Sequence, residues 1–153
     1  MQLKPLYTVR FHYPKGWEVN LKGDAGQEEH DFFFAEGRLE GGIQGAFRAA
    51  NHPRRRVDGP FLMDMHGFVE TDGGGIIMVE YRGYGRAYPR GRRQVVGAAF
   101  HVSDHPDYKR LNDAVCVLAG EVRVPDPPPA PLEQRHVQLV FSVAELIWEA
   151  PPD

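Results

Sequence analysis

The stretch from Asp58 to Gly83, DGPFLMDMHGFVETDGGGIIMVEYRG, constrains the fold more than any other part of the chain. Apolar and polar residues alternate on either side of Asp72-Gly73-Gly74-Gly75, the pattern of two long strands joined by a tight turn. Glycine takes positive φ without a Cβ clash, so Gly73-Gly74 reads as a two-residue hairpin loop. In that register Thr71 faces Ile76, Phe68 faces Val79, His66 faces Tyr81 and Asp64 faces Gly83. Leu62, Asp64, His66, Phe68, Ile77, Val79 and Tyr81 then share one face, and Met63, Met65, Val69, Met78, Glu80 and Arg82 share the other. The first face has the character of a pocket wall, with an acid, an imidazole and a phenol at one end of an apolar surface. A slip of the turn would change the cross-strand partners but would leave Asp64 and His66 side by side.

The remaining chain repeats the strand theme. Leu3 to Tyr13 alternates, with Tyr7, Val9, Phe11 and Tyr13 on one side, and Pro14-Lys15-Gly16 reads as a turn. Gly23 to Glu29 is a polar loop, Asp31 to Ala35 a short aromatic strand, and Gly37 to Gly42 a glycine-broken turn. Ile43 to Ala50 resumes as strand, and its Gly45 suggests a bulge or a close backbone approach. Asn51 to Gly59 and Tyr84 to Arg93 read as loops, with strands at Gln94 to Val102, Leu111 to Val124 and His136 to Trp148. The last of these could instead close with a turn of helix from Val143. Ser103 to Arg110 suits a single helical turn or a loop. Pro125 to Pro131 cannot support a hydrogen-bond ladder and belongs in an exposed extended loop. Eight or nine strands with almost no helix point to an all-β domain spanning residues 1–153, an antiparallel barrel or sandwich, and closure into a barrel would remove long exposed edges.

Composition narrows the function classes. A formal charge of -3 argues against nucleic acid as a partner. No window approaches the ~20 apolar residues of a membrane helix, and the first residues lack a secretory apolar core. A single cysteine, Cys116, excludes an intrachain disulfide and points to a reducing, cytoplasmic setting. Cys116 lies among small apolar residues and reads as a buried hydrophobe. The basic runs Arg54 to Arg56 and Arg90 to Arg93 read as solvated loop charge, or as a rim attracting an anionic small molecule. His101 and His105 stand at helical spacing for a metal, but Pro106 follows at once and no catalytic glutamate adjoins. Asp64-x-His66-x-x-x-Glu70 is similar to half of a cupin metal motif whose second half is missing. No metal and no cofactor is expected.

The ordered set Pro5-Leu6-Tyr7-Thr8, GRLEGGIQG, Asp58-Gly59, MDMHGFVETDGGGIIMVEYRG and FHVSDHPDYKRLN resembles the domain of unknown function 3237 family, also called uncharacterised protein family 0311. The resemblance runs from about Pro5 to Val143 and implies a single antiparallel β-barrel similar to the calycin and allene-oxide-cyclase-like barrels. Asp64, Gly74, Gly83, Leu111 and Asn112 match positions of the family pattern. His101 stands where that pattern carries a glutamate, and would add an imidazole to the pocket if its strand faces inward.

The functional expectation is an isomerase, cyclase or lyase that acts without a cofactor on an apolar carbonyl or phenolic ligand in the barrel lumen. Asp64 or His66 would move a proton and Tyr81 would hold the developing oxyanion. Arg82, His101 and Phe68 would bind and orient the ligand. Two other readings stand beside it. One is a non-catalytic barrel in which the same residues only orient a small apolar or aromatic molecule. The other is a homodimer built on the methionine face, with a filled lumen and a polar network that only fixes register.

Overall fold

The computed structural model describes residues 1–87 and 93–153. Nine strands follow in chain order: β1 (Gln2–Gly23), β2 (Gly26–Gly41), β3 (Gly45–Asn51), β4 (Arg54–Arg55), β5 (Phe61–Thr71), β6 (Ile76–Ala87), β7 (Arg93–Val102), β8 (Cys116–Arg123) and β9 (Gln138–Ile147). All pairings are antiparallel, in the order β1-β9-β8-β7-β6-β5-β3-β2, and a β1–β2 pairing closes the ring. The two-residue β4 bridges β2 and β5 at one end. Two single 3-10 turns, Lys109–Leu111 and Gln134–His136, are the helical segments among the described residues. The all-β barrel expected from the alternation is therefore present, and no described helix is long and apolar enough to cross a membrane.

Inward side chains fill the barrel in alternation. Val9, Phe11, Leu39, Phe47, Met65, Val69, Ile77, Phe141 and Val143 are all buried in one core. Burying each side chain of this size contributes about 1.5–3 kcal/mol, which makes the alternation the main determinant of which face turns inward. Cys116 is part of that core, as expected of a small hydrophobe.

Several local expectations need correction. Pro14-Lys15-Gly16 is not a turn. β1 continues through it to Gly23, absorbing the break as a register shift between His12 and Lys15. An antiparallel ladder tolerates proline at such a bulge because the missing N–H falls where pairing is already interrupted. Gly37 likewise lies inside β2, not in a turn. A Cβ there would stand 2.0 Å from the Arg10 carbonyl oxygen, so the glycine permits close approach of β1. Finally, β6 extends through Tyr84 to Ala87, where a loop was expected, and the rest of that segment, residues 88–92, lies outside the described residues.

The central hairpin holds the most consequential correction. Its loop has three residues, Asp72-Gly73-Gly74, with Gly74 at φ +91°. Thr71 closes it: its N–H donates to the Gly75 carbonyl at 2.8 Å, and its Oγ1 accepts the Gly75 N–H at 2.8 Å. The extra residue shifts the register by one, so Met65 faces Tyr81, His66 faces Glu80 and Asp64 faces Arg82. β6 keeps the expected inward face, Ile77, Val79 and Tyr81. β5 is reversed, with Met63, Met65, Val69 and Thr71 inside. Of the three methionines expected to face a partner, only Met78 is on the outside.

Candidate active site at the barrel mouth

The reversal of β5 dismantles the expected catalytic pair. The Asp64 and His66 side chains are 41% and 58% exposed, on the outer wall. They bond to each other there, His66 Nε2 donating to Asp64 Oδ1 at 2.9 Å. Arg82 is also outside, paired with Glu80 and 4.0 Å from Asp64. Phe68 shares this outer face opposite Met78 and does not reach the lumen. An ionised carboxylate and a solvated guanidinium are far cheaper outside than in an apolar core, whereas the methionines are not. The outer wall thus collects the charges and the core takes the thioethers.

Tyr81 and His101 do face inward. Tyr81 is fully buried, and its hydroxyl lies 2.7 Å from that of Tyr7. The Tyr7 hydroxyl in turn lies 2.7 Å from His101 Nε2. His101 is 2% exposed, and its Nδ1 has no hydrogen-bond partner. The neutral imidazole and the two phenols carry three hydrogens for two bonds, so the relay leaves one donor unpaired in either direction. Burial holds the His101 pKa down to about 4, so the imidazole is neutral near pH 7. Burial also raises both phenols above their ordinary range, Tyr7 with a further contribution from Tyr81. The relay is a neutral, dry network. Tyr7 was absent from the sequence-derived set, although its place on the inward face of β1 was readable. His101 lies in a strand, so its helical spacing to His105 does not exist in the fold.

Above the relay sits a layer of aromatic rings. Phe11 packs at 5.4 Å from Phe47 and 5.1 Å from Phe141, and Tyr81 meets Phe47 and Phe141 at 6.0 and 6.2 Å. Beyond that layer the barrel opens. A cavity of about 130 Å³ is walled by Phe33, Phe61, Met63, Val95, Leu139 and Phe141 and carries Tyr13, Asn51, Asp31, Glu29 and Glu18 as polar groups. Each arrives by strand parity. Tyr13 ends the inward run of β1, and its ring stacks on Phe33 of β2 at 4.4 Å. Asp31 is two residues before Phe33 on the same face and is 5% exposed. Its backbone N–H donates to the Pro53 carbonyl at 3.1 Å, which fixes its height in the wall. Asn51 ends β3, donates from Nδ2 to the Tyr13 hydroxyl at 2.9 Å, and accepts the Asp64 N–H at 3.2 Å.

The oxygens of Glu18, Glu29 and Asp31 converge within 4.8 Å of one another. Hard cations such as calcium or magnesium bind through oxygen donors of this kind and take water in their remaining positions. Arg55 also stands 3.8 Å from Glu29, supplying positive charge from β4. Of the two basic runs, Arg54 and Arg55 thus form a rim strand and Arg56 pairs with Asp58. The run Arg90 to Arg93 lies, apart from the Arg93 backbone, outside the described residues. A broader cleft of about 850 Å³ lies between Arg110 and the C-terminal tail. It is an open groove on the outer surface, and the Arg110–Glu145 ion pair at 3.0 Å lies along it.

No family model matches the chain, and no curated protein does. Solved structures do. A β-barrel-like protein from Acinetobacter baumannii AYE is 19% identical, with 94% of each chain covered and a TM-score of 0.72. A conserved protein of unknown function from Rhodopseudomonas palustris is 17% identical, with 95% of this chain and 97% of that one covered and a TM-score of 0.70. An enzyme from Penicillium herquei is 17% identical, with 93% of each chain covered and a TM-score of 0.60. At these identities the likeness establishes the architecture: the chain has the fold of these β-barrel-like proteins.

Proposed function

We propose that this protein is a small-molecule enzyme of the isomerase, cyclase or lyase kind, running cofactor-independent acid–base chemistry in the mouth cavity. The observation that carries the reading is Asp31, a nearly buried carboxylate set among aromatic walls at the open end of the barrel. A carboxylate in that position removes a proton from carbon beside a ligand carbonyl. The Tyr13 hydroxyl, polarised by the hydrogen bond it accepts from Asn51, then donates to the enolate oxygen. The proton taken up by Asp31 is then returned to the ligand carbon, directly or after passing to Glu29 or Glu18, whose oxygens lie within 4.8 Å. The chemistry is the one expected from the sequence, moved from the hairpin to β1, β2 and β3.

Volume bounds the ligand. A cavity of 150 Å³ accommodates benzene, so about 130 Å³ admits no more than roughly one six-membered ring, with any polar substituents left at the open mouth. The Penicillium herquei neighbour is an enzyme with this fold, and the analogy is one of fold. The resemblance to the domain of unknown function 3237 family agrees with the barrel and leaves the reaction open.

The test is proton exchange. Native mass spectrometry of freshly purified protein first identifies any retained ligand. Small cyclic ketones and phenols are then followed by NMR in deuterated water, with wild type and Asp31→Asn. The proposal expects wild type to speed exchange at carbon beside the carbonyl, and Asp31→Asn to lose exchange while keeping ligand binding. Equal loss of both would favour a non-catalytic binding barrel, the reading in which the same groups only orient the ring.

A further inference from the structure

On the outside of the same end of the barrel, two histidines meet. His30 Nδ1 and His52 Nε2 are 3.3 Å apart, and the other nitrogen of His30 lies 2.6 Å from Glu28 Oε1. An ionised carboxylate only accepts, so His30 Nε2 carries the proton and donates to Glu28. The lone pair of Nδ1 is therefore turned toward His52. We propose that His30 and His52 form a binding site for a divalent transition-metal ion that prefers imidazole, with zinc as the reference case and Glu28 orienting His30 from behind.

Three observations converge on this. The first is spacing: two nitrogens on a tetrahedral zinc, at bonds of about 2.0–2.1 Å, stand about 3.3 Å apart. The second is the Glu28–His30 contact. A carboxylate on the far nitrogen of a ligating histidine fixes the ring and raises its basicity, the usual second layer of a metal site. The third is rigidity. His30 sits within β2, paired with Arg54 of β4. The His52 N–H donates to the Asp64 carbonyl at 3.0 Å, and the next carbonyl, Pro53, accepts from Asp31 at 3.1 Å. Backbone bonds from β5 and β2 thus hold the two rings in register before any ion arrives.

Without metal, His52 donates its Nε2 proton to His30 Nδ1. With metal, His52 takes its other tautomer, and both lone pairs point at the ion. Imidazole donors select zinc, copper or nickel over magnesium and calcium. Two protein ligands leave the remaining positions to water, so the site is open. Arg54 opposes a cation here, although it is exposed and screened. The ion would tie β2 to the β3–β4 connection, on the outer side of the segment whose inner side carries Asp31 and Asn51.

The experiment is calorimetric titration of the full chain with zinc chloride, alongside thermal melts. The inference expects saturable uptake of one ion per chain and a melting temperature that rises with zinc concentration. His30→Ala and His52→Ala should each weaken uptake at least tenfold, and Glu28→Gln by about tenfold. Glu18→Gln and Asp31→Asn should leave it unchanged, which separates this site from the carboxylates of the cavity. X-ray absorption of zinc-loaded wild type should show two imidazole nitrogens, a readout independent of how any variant folds. Absence of saturable uptake, unaltered uptake in the histidine variants, or loss of uptake in Glu18→Gln would overturn it.

Discussion

The two ends of this barrel bury polar groups by opposite means. At one end Tyr7, Tyr81 and His101 are buried, bond mainly to one another and stay neutral. At the open end Asp31, Glu29 and Glu18 keep their carboxylates beside a cavity, with Tyr13 and Asn51 tied into the wall. The aromatic layer of Phe11, Phe47 and Phe141 separates them. The difference teaches where chemistry is possible. A network that is internally bonded and dry stabilises the fold but has nothing to offer a ligand, while ionisable groups lining a cavity can reach one.

That contrast breaks most visibly at Tyr81. Tyr81→Ala removes a fully buried ring from beneath the aromatic layer and should cost about 3–5 kcal/mol, read by denaturant unfolding. The next effect concerns acid. His101 has a pKa of about 4 in the fold against about 6.5 unfolded, so the unfolded chain binds the extra proton. Stability from this group is fully present above about pH 6.5 and is lost as pH falls toward 4, amounting to about 3 kcal/mol. His101→Phe should flatten that part of the stability–pH curve, and a curve unchanged between pH 6.5 and 4 would mean that the imidazole is not held neutral by burial. Tyr7→Phe leaves two buried partners unsatisfied and should cost about 1–3 kcal/mol in the same unfolding measurement. At the other end, Glu18→Gln should shift stability by less than about 0.5 kcal/mol, because the side chain is exposed at the rim. A large loss there would erase the distinction between the two ends.

Alternation along β1, β5, β6 and β7 made the barrel legible in the sequence, and glycine and proline placed most of the breaks. The inward face of β6, and with it Tyr81, was also readable. The face of β5 was not, and the reason is local. Leu62 and Phe68 on one parity balance Met63, Met65 and Val69 on the other, so hydrophobicity alone does not choose. The choice then falls to the hairpin loop, where Asp72-Gly73-Gly74-Gly75 permits two or three residues. Thr71 settles it by capping the longer loop with its own hydroxyl. One residue of loop length carried Asp64 and His66 from the lumen to the surface. The mouth cluster was invisible for a different reason: Glu18, Glu29, Asp31 and Asn51 come from three strands, and their convergence depends on register across β1, β2 and β3.

The central claim is that proton transfer belongs to the mouth and not to the outer wall of the hairpin. Asp31→Asn and Asp64→Asn compared in one exchange assay, with the same ligand and matched thermal stability, address it directly. The account predicts that Asp31→Asn loses exchange and Asp64→Asn keeps it. Loss in Asp64→Asn with exchange preserved in Asp31→Asn would contradict it.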